Sequence, residues 1–231
     1  MLKGVYHYLL QYDPEADRLM GFVHSLLENH EGSVLDVGCG YGRYLKILQN
    51  SGYDALGVEE NKTIVEANCK QGLKCLSVKE FQQADTQFDL IIMSHIIEHF
   101  PPESLKDFID GYLDRLKAGG HLIIATPLMS SYFYDDFDHV KPYQPIGIMM
   151  VFGSDNAQVQ YYARNKLVLK DIWFRKSFFR FSHVRSKYKG GGIAVRFYQL
   201  FHLLSASLLY LSRGRIGKTD GWIGVFKKVG G

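Results

Sequence analysis

At 231 residues, with 46% hydrophobic and 22% charged residues, the chain is long enough for a full core and excludes a disordered, collagen-like or disulfide-stapled protein. Cys39, Cys69 and Cys75 are odd in number and lack a metal-binding C-x-x-C spacing, which fits a reducing compartment. No signal-peptide pattern opens the sequence, so the cytoplasm is the expected location. The net charge of +3 hides a split: residues 1–150 carry 12 Lys+Arg against 21 Asp+Glu, and residues 151–231 carry 15 against 3. The second part is expected to meet something anionic, either outside the molecule or in its own first part.

Residues 1–12 hold Tyr6, His7, Tyr8 and Tyr12 among apolar residues, and Asp13-Pro14 marks a turn or helix start. Leu19, Phe22, Val23, Leu26 and Leu27 then recur at helical spacing up to Asn29. Val34, Leu35 and Val37 predict a short buried strand that runs into Gly38-Cys39-Gly40-Tyr41-Gly42, with a helix from Tyr44 to Gln49. Three glycines in five residues allow a tight turn and close approach of a ligand. The helix N-terminus beyond them is expected to offer free backbone N–H groups to a carboxylate or phosphate. Arg43 stands where a nicotinamide or flavin fingerprint needs Gly or Ala, which weighs against a dinucleotide.

Asp54 to Val58 reads as the next strand. It ends at Glu59, about 20 residues past the turn, where a carboxylate can accept hydrogen bonds from ribose hydroxyls. Asn61 to Gln71 predicts a helix with an Asn cap, ended by Gly72, and Lys74 to Val78 a third strand. The apolar run Phe88 to Met93 suits a strand buried on both faces and leads to Ser94-His95, at the edge where open α/β sheets bind ligands. A helix over Glu103–Lys117 carries Leu105, Phe108, Ile109, Tyr112, Leu113 and Leu116 on one side. Gly119-Gly120 is expected to turn the chain into a strand from Leu122 to Ala125. This alternation predicts a mainly parallel sheet.

Four of these stretches resemble, in order, the motifs of the class I S-adenosylmethionine-dependent methyltransferases. Val34 to Gly42 is similar to their motif I, and Gly57-Val58-Glu59 to their acidic second motif. Phe88 to Phe100 resembles their fourth strand and the helix after it, and Leu116 to Pro127 their fifth strand with its leading turn. The resemblance implies an α/β fold: a doubly wound, mainly parallel seven-stranded sheet with helices on both faces. It implies one domain over residues 1–231, with the cofactor core at about 30–127 and a substrate-side lid, late strands and a C-terminal helix in 128–231. The implied cofactor is S-adenosyl-L-methionine, converted to S-adenosyl-L-homocysteine. Its implied contacts are Asp36, Gly38, Cys39, Gly40, Tyr41, Glu59, Glu60, Val78, Ser94 and His95. The family often has an acidic residue just past the third strand, near the adenine amine. Ser77-Val78-Lys79-Glu80 offers no obvious counterpart, so backbone near Val78 is expected to serve. Tyr6 or Tyr12 is expected either to line the site or to pack on the sheet.

Beyond Pro127 an aromatic and acidic loop, Tyr132 to His139, lies where a substrate lid belongs. Residues 158–188 interleave basic and aromatic side chains. After the break at Gly190-Gly191-Gly192, a helix over Ile193–Ser212 is expected to set Arg196, Gln199 and His202 opposite Phe197, Phe201, Leu204, Leu208 and Leu211. It can pack on the sheet or lie on a membrane surface, and its polar residues argue against a transmembrane segment. Trp222 to Lys227 reads as the last strand.

Methyl transfer from a sulfonium needs alignment above all, and a hydroxyl acceptor also gains from a general base. His95, His99 and His139 are the candidate catalytic residues; helical spacing would set His95 and Glu98 or His99 on one face. With Glu98 they can alternatively hold a divalent ion, and the segment resembles the Glu-x-x-Glu-His metal motif of small-RNA and ubiquinone-pathway O-methyltransferases, with His95 in place of its first Glu. On that departure no metal ligand is assigned. The expected acceptor is a small, anionic or amphiphilic molecule, methylated on oxygen. RNA, or a binding role without catalysis, are the alternatives: basic residues among aromatics suit single strands, yet no Asn/Asp-Pro-Pro-Tyr motif follows the fourth strand.

Overall fold

A computed structural model describes residues 9, 12–28, 31–153, 159–180 and 192–229. Tyr6 and the break at Gly190-Gly191 lie outside the described residues. The chain runs α1 (Glu15–Leu26), β1 (Ser33–Val37), α2 (Arg43–Asn50), β2 (Asp54–Glu59), α3 (Lys62–Lys70), β3 (Cys75–Ser77), α4 (Val78–Gln83) and β4 (Phe88–Ser94). It continues with α5 (Pro102–Leu113), β5 (Leu116–Pro127), α6 (Pro145–Phe152), β6 (Lys166–Ser177), α7 (Ile193–Leu211) and β7 (Lys218–Val229). The seven strands form one sheet in the order β3-β2-β1-β4-β5-β7-β6. The first five are parallel, and β7 runs antiparallel to both β5 and β6. The expected mainly parallel, seven-stranded sheet is therefore found.

Side-chain alternation puts a core on each face of the sheet. Leu35, Val37, Ile91, Met93, Leu122 and Ile124 pack with Leu105, Ile109 and Leu113 of α5 and Phe152 of α6. Their neighbours Val34, Leu90, Ile92, Ile123 and Ala125 pack with Leu19 and Val23 of α1 and Leu45 and Leu48 of α2. Strands covered on both faces must be apolar at nearly every position, which is why β4 reads as a continuous run.

Local chemistry sets the element ends. The Asn61 side chain accepts from the Thr63 N–H and starts α3. Pro102 sits in the first turn of α5, where its missing N–H costs nothing. Helix α4 was not expected. Ser77 and Glu80 form a reciprocal capping box, so Ser77-x-x-Glu80 was the overlooked start signal, and it shortens the third strand to Cys75–Ser77.

Three expectations are corrected. The helix expected over Glu103–Lys117 stops at Leu113, and Gly119-Gly120 lie inside β5 rather than before it. A bulge between Phe88 and Leu90 absorbs the irregularity, and a Cβ on Gly120 would sit 2.9 Å from the Asp89 carbonyl. His95 does not belong to a helix: it has φ +54, and the 3₁₀ turn after it spans Ile97–His99. The last helix is turned over. His202, Ser205, Ala206 and Leu209 are buried, whereas Phe197, Leu204, Leu208 and Leu211 are exposed. Small side chains let this face approach the chain after β6, where Ser205 Oγ accepts from the Phe179 N–H at 2.6 Å.

Candidate active site

The carboxyl ends of β1, β2 and β4 open on a cavity of about 580 Å³. Gly38, Glu59, Glu60, Val78, His95, Ile96, His99, Phe100, Phe108, Tyr112 and Asp138 are among its walls. A second cavity of about 490 Å³ shares Glu60, Val78, Phe100, Phe108 and Tyr112 and adds Phe81 and Arg115, so the two form one long cleft.

Four N–H groups of the glycine turn are bonded within the protein. The Gly38 and Cys39 N–H groups donate to the Val58 carbonyl, at 2.8 and 3.1 Å, and the Gly42 N–H donates to Cys39 O. The Gly40 N–H donates to Glu59 Oε2 at 3.0 Å, while the Asn61 N–H donates to Glu59 Oε1 at 3.0 Å. These two bonds orient the Glu59 carboxylate. Each oxygen keeps acceptor capacity, so the pair can still take two hydroxyls. The glycines also differ in purpose. A Cβ on Gly38 would lie 2.3 Å from Ile96 Cδ1, and one on Gly42 would lie 2.6 Å from Leu73 Cδ1, so those two serve packing. Gly40 has φ +52 and nothing within 4 Å of its would-be Cβ, which leaves it as the glycine facing open space.

Of the ten expected cofactor residues, Gly38, Glu59, Glu60, Val78 and His95 line the cavity. Asp36 and Cys39 point into the protein. Asp36 is buried with Oδ2 unpartnered, and burial raises its carboxyl to about 7. Cys39 Sγ lies 3.6 Å from Cys75 Sγ and within reach of the Asn68 amide. Gly40 and the exposed Tyr41 belong to the turn, and Ser94 is half-buried at the end of β4; none of the three is a wall of this cavity.

Beside the end of β4 stands an ion network that the sequence reading missed, buried at Glu15 and open at His95, whose side chain is 40% exposed. Glu15, the first residue of α1, is 1% exposed. It meets His95 Nε2 at 2.8 Å and accepts from Arg175 Nη1 at 2.6 Å. Arg175, on β6, also donates to Asp220 on β7. Burial alone would raise the Glu15 carboxyl, but its bonds to His95 and Arg175 outweigh that and hold it at about 2. Burial alone would lower His95, but Glu15 and Glu98 outweigh it and hold the imidazole at about 9. Both its nitrogens are taken, Nε2 by Glu15 and Nδ1 by Glu98 at 3.4 Å. No local pattern could reveal these pairs, since Glu15 lies 80 residues from His95 and 160 from Arg175. Tyr12, the other expected lining residue, packs edge-on against Tyr210 with ring centroids 5.2 Å apart.

His99 and His139 meet with ring centroids 5.0 Å apart. The Val140 N–H donates to the Glu98 carbonyl at 2.9 Å and brings His139 over the β4 end. His99 Nδ1 bonds Asp138 O at 3.1 Å and His139 Nδ1 bonds Phe133 O at 2.7 Å. A carbonyl can only accept, so each Nδ1 carries a proton, and in the neutral ring the lone pair is at Nε2. His139 Nε2 lies 3.7 Å from Asp136 Oδ2. Glu98 is fully buried; Thr126 donates to its Oε2 at 3.0 Å, and its Oε1 faces His95 Nδ1 at 3.4 Å. Glu98, His99 and His139 each offer a ligand atom within 4.8 Å of the others, the one such group among the described residues.

The sheet order, the glycine turn and the acidic end of β2 define a class I S-adenosylmethionine-dependent methyltransferase fold. A family model described as a methyltransferase domain matches residues 10–175, and the chain belongs to that family of methyl-transferring enzymes. The chain is similar to a solved S-adenosylmethionine-dependent methyltransferase from Archaeoglobus fulgidus: 19% identical, TM-score 0.57, covering 95% of this chain and 96% of that one. It is also similar to magnesium protoporphyrin IX methyltransferase from Synechocystis PCC 6803, solved with bound S-adenosylmethionine: 12% identical, TM-score 0.54, covering 93% and 79%. A third is the N-methyltransferase NodS from Bradyrhizobium japonicum WM9: 12% identical, TM-score 0.54, covering 94% and 97%. No curated protein matches the sequence.

Proposed function

We propose that this enzyme moves the methyl group of S-adenosylmethionine to an oxygen of a small, anionic or amphiphilic acceptor. The observation that carries this reading is one cavity joining Gly38 and the oriented Glu59 carboxylate to His99, whose Nδ1 is anchored to the Asp138 carbonyl. Glu59 takes the ribose hydroxyls, and Val78, Phe100 and Phe108 enclose the adenine. The sulfonium methyl then lies toward Gly38 and His95.

The sulfonium already activates the methyl group, so the protein mainly aligns acceptor oxygen, carbon and sulfur. His99 or His139 takes the hydroxyl proton at Nε2 as the C–O bond forms and the C–S bond breaks, leaving S-adenosylhomocysteine. His95 serves differently. With both nitrogens committed to carboxylates it cannot receive that proton, and it positions the β4 end instead.

Calorimetry with S-adenosylmethionine tests the cofactor assignment. Incubation of cell extract with methyl-labelled cofactor, followed by mass spectrometry, identifies the acceptor. Label in a small molecule, on oxygen, is the expected result. Label confined to RNA, or tight cofactor binding with no labelled product, would overturn it.

A second reading rests on the buried Glu98 carboxylate, which offers an oxygen within 4.8 Å of ring nitrogens of His99 and His139. Glu98 with the Nε2 atoms of His99 and His139 fits the donor set of a divalent cation, and each histidine's Nδ1–H is anchored to a carbonyl, as metal-bound imidazoles usually are. A cation held there would lower the pKa of an acceptor hydroxyl. Metal analysis of the purified protein, and turnover after chelation and after adding back zinc or magnesium, distinguish this from direct base catalysis.

A further inference from the structure

Along α7, Ile193, Phe197, Leu200, Leu204, Leu208 and Leu211 follow one another in steps of three or four residues and so share one face. They are 89, 58, 54, 61, 44 and 78% exposed. The inward face is the more polar one: Ser205 binds the Phe179 N–H, and the His202 ring meets Phe178 at 5.3 Å. A surface helix normally does the reverse. Isolated exposed leucines are ordinary, but six large apolar side chains in one stripe mark a surface that something covers.

Charge decides what covers it. Residues 172–219 contain ten Lys and Arg and no Asp or Glu. Arg196 on the helix, and Arg213, Arg215 and Lys218 just beyond its end, are all exposed. A second copy laid along α7 would bring the same acid-free stretch and set like charges together. Leucine gives nucleobases no stacking surface, which disfavours RNA. An anionic lipid surface suits both features, since the acyl region takes the leucines and the headgroups take the basic residues. No described helix is long and apolar enough to cross a membrane, so this one would lie along the surface.

We propose that α7 docks the enzyme on an anionic lipid surface through its Ile193–Leu211 apolar stripe and the arginines beside it. Beneath α7, the Arg180 guanidinium lies over the rings of both Tyr132 and Phe178, at 5.9 and 4.5 Å, and so joins the segment under the helix to the loop after β5. This inference stands apart from the choice of acceptor.

Co-sedimentation with vesicles of phosphatidylcholine mixed with phosphatidylglycerol, against phosphatidylcholine alone, is the test. The wild-type chain should pellet with the mixed vesicles and be released by salt. Leu204→Glu with Leu208→Glu should weaken pelleting by roughly 10-fold or more, as expected for charges placed in an interfacial face. Circular dichroism and S-adenosylmethionine binding confirm that this variant folds. Arg213→Glu with Arg215→Glu, outside the helix, gives an independent arm and should remove the preference for phosphatidylglycerol. Wild-type protein that stays in the supernatant would overturn the proposal, as would a leucine variant that pellets like wild type. A dimer in sedimentation equilibrium that the leucine variant splits would also overturn it, in favour of a second copy.

Discussion

The two ends of the cleft are built in different ways. At the β2 end, Glu59 is held by backbone N–H groups of Gly40 and Asn61, 19 and 2 residues away. At the β4 end, His95 is held by Glu15, and Glu15 by Arg175, across 80 and 160 residues. The first arrangement belongs to one β-α-β unit and travels with its motif. The second exists only when α1, β4, β6 and β7 are all in place. Damage to the first should therefore remove a ligand and leave a folded protein, whereas damage to the second should cost the fold as well.

The largest expected effect is that of Gly40→Val. Its φ of +52 is strained for a β-branched residue, and a shift of the turn would displace the Gly40 N–H that orients Glu59. S-adenosylmethionine binding by calorimetry should be lost, while a cooperative melt persists. Normal binding would break the assignment of this turn to the cofactor.

His99→Ala and His139→Ala come next. Loss of the general base should lower turnover by roughly 10²–10⁴-fold with cofactor affinity kept. If both variants turn over at the wild-type rate, neither base nor cation acts there.

Glu15→Ala probes the long-range end. Removing Glu15 leaves Arg175 with Asp220 alone and should destabilise the fold by about 1–3 kcal/mol in denaturant titration. The same network predicts an acid limb. The Glu15 carboxyl falls from 4.5 to about 2 on folding, so its contribution is complete above about pH 4.5 and disappears as pH falls through about 2. Glu15→Gln should flatten that limb; an unchanged pH profile would show that the network does not support folding.

Glu59→Ala should weaken cofactor binding by about 1–3 kcal/mol, or roughly 5- to 150-fold, and barely move the melting temperature. A large loss of stability would mean that Glu59 mainly braces the turn. Smallest of all, Leu204→Gln should change stability by no more than about 0.5 kcal/mol, because its side chain is 61% exposed.

The sequence by itself determined the parallel core. Apolar runs such as Phe88–Met93, the glycine turn and the carboxylate at Glu59 follow from short-range periodicity and spacing, and all occupy their expected elements. It also contained the Ser77-x-x-Glu80 signal for α4, which a closer look at capping would have found. Only the tertiary structure decided that Gly38 makes room for Ile96 while Gly40 faces open space, because both glycines look alike in the chain. It alone paired Glu15 with Arg175 and turned the leucines of α7 outward. An ion pair across 160 residues leaves no local pattern, and a helix with apolar residues on more than one side carries no mark of which side finds a partner. Periodicity reports that a face can be buried; the position of the rest of the protein settles which face is.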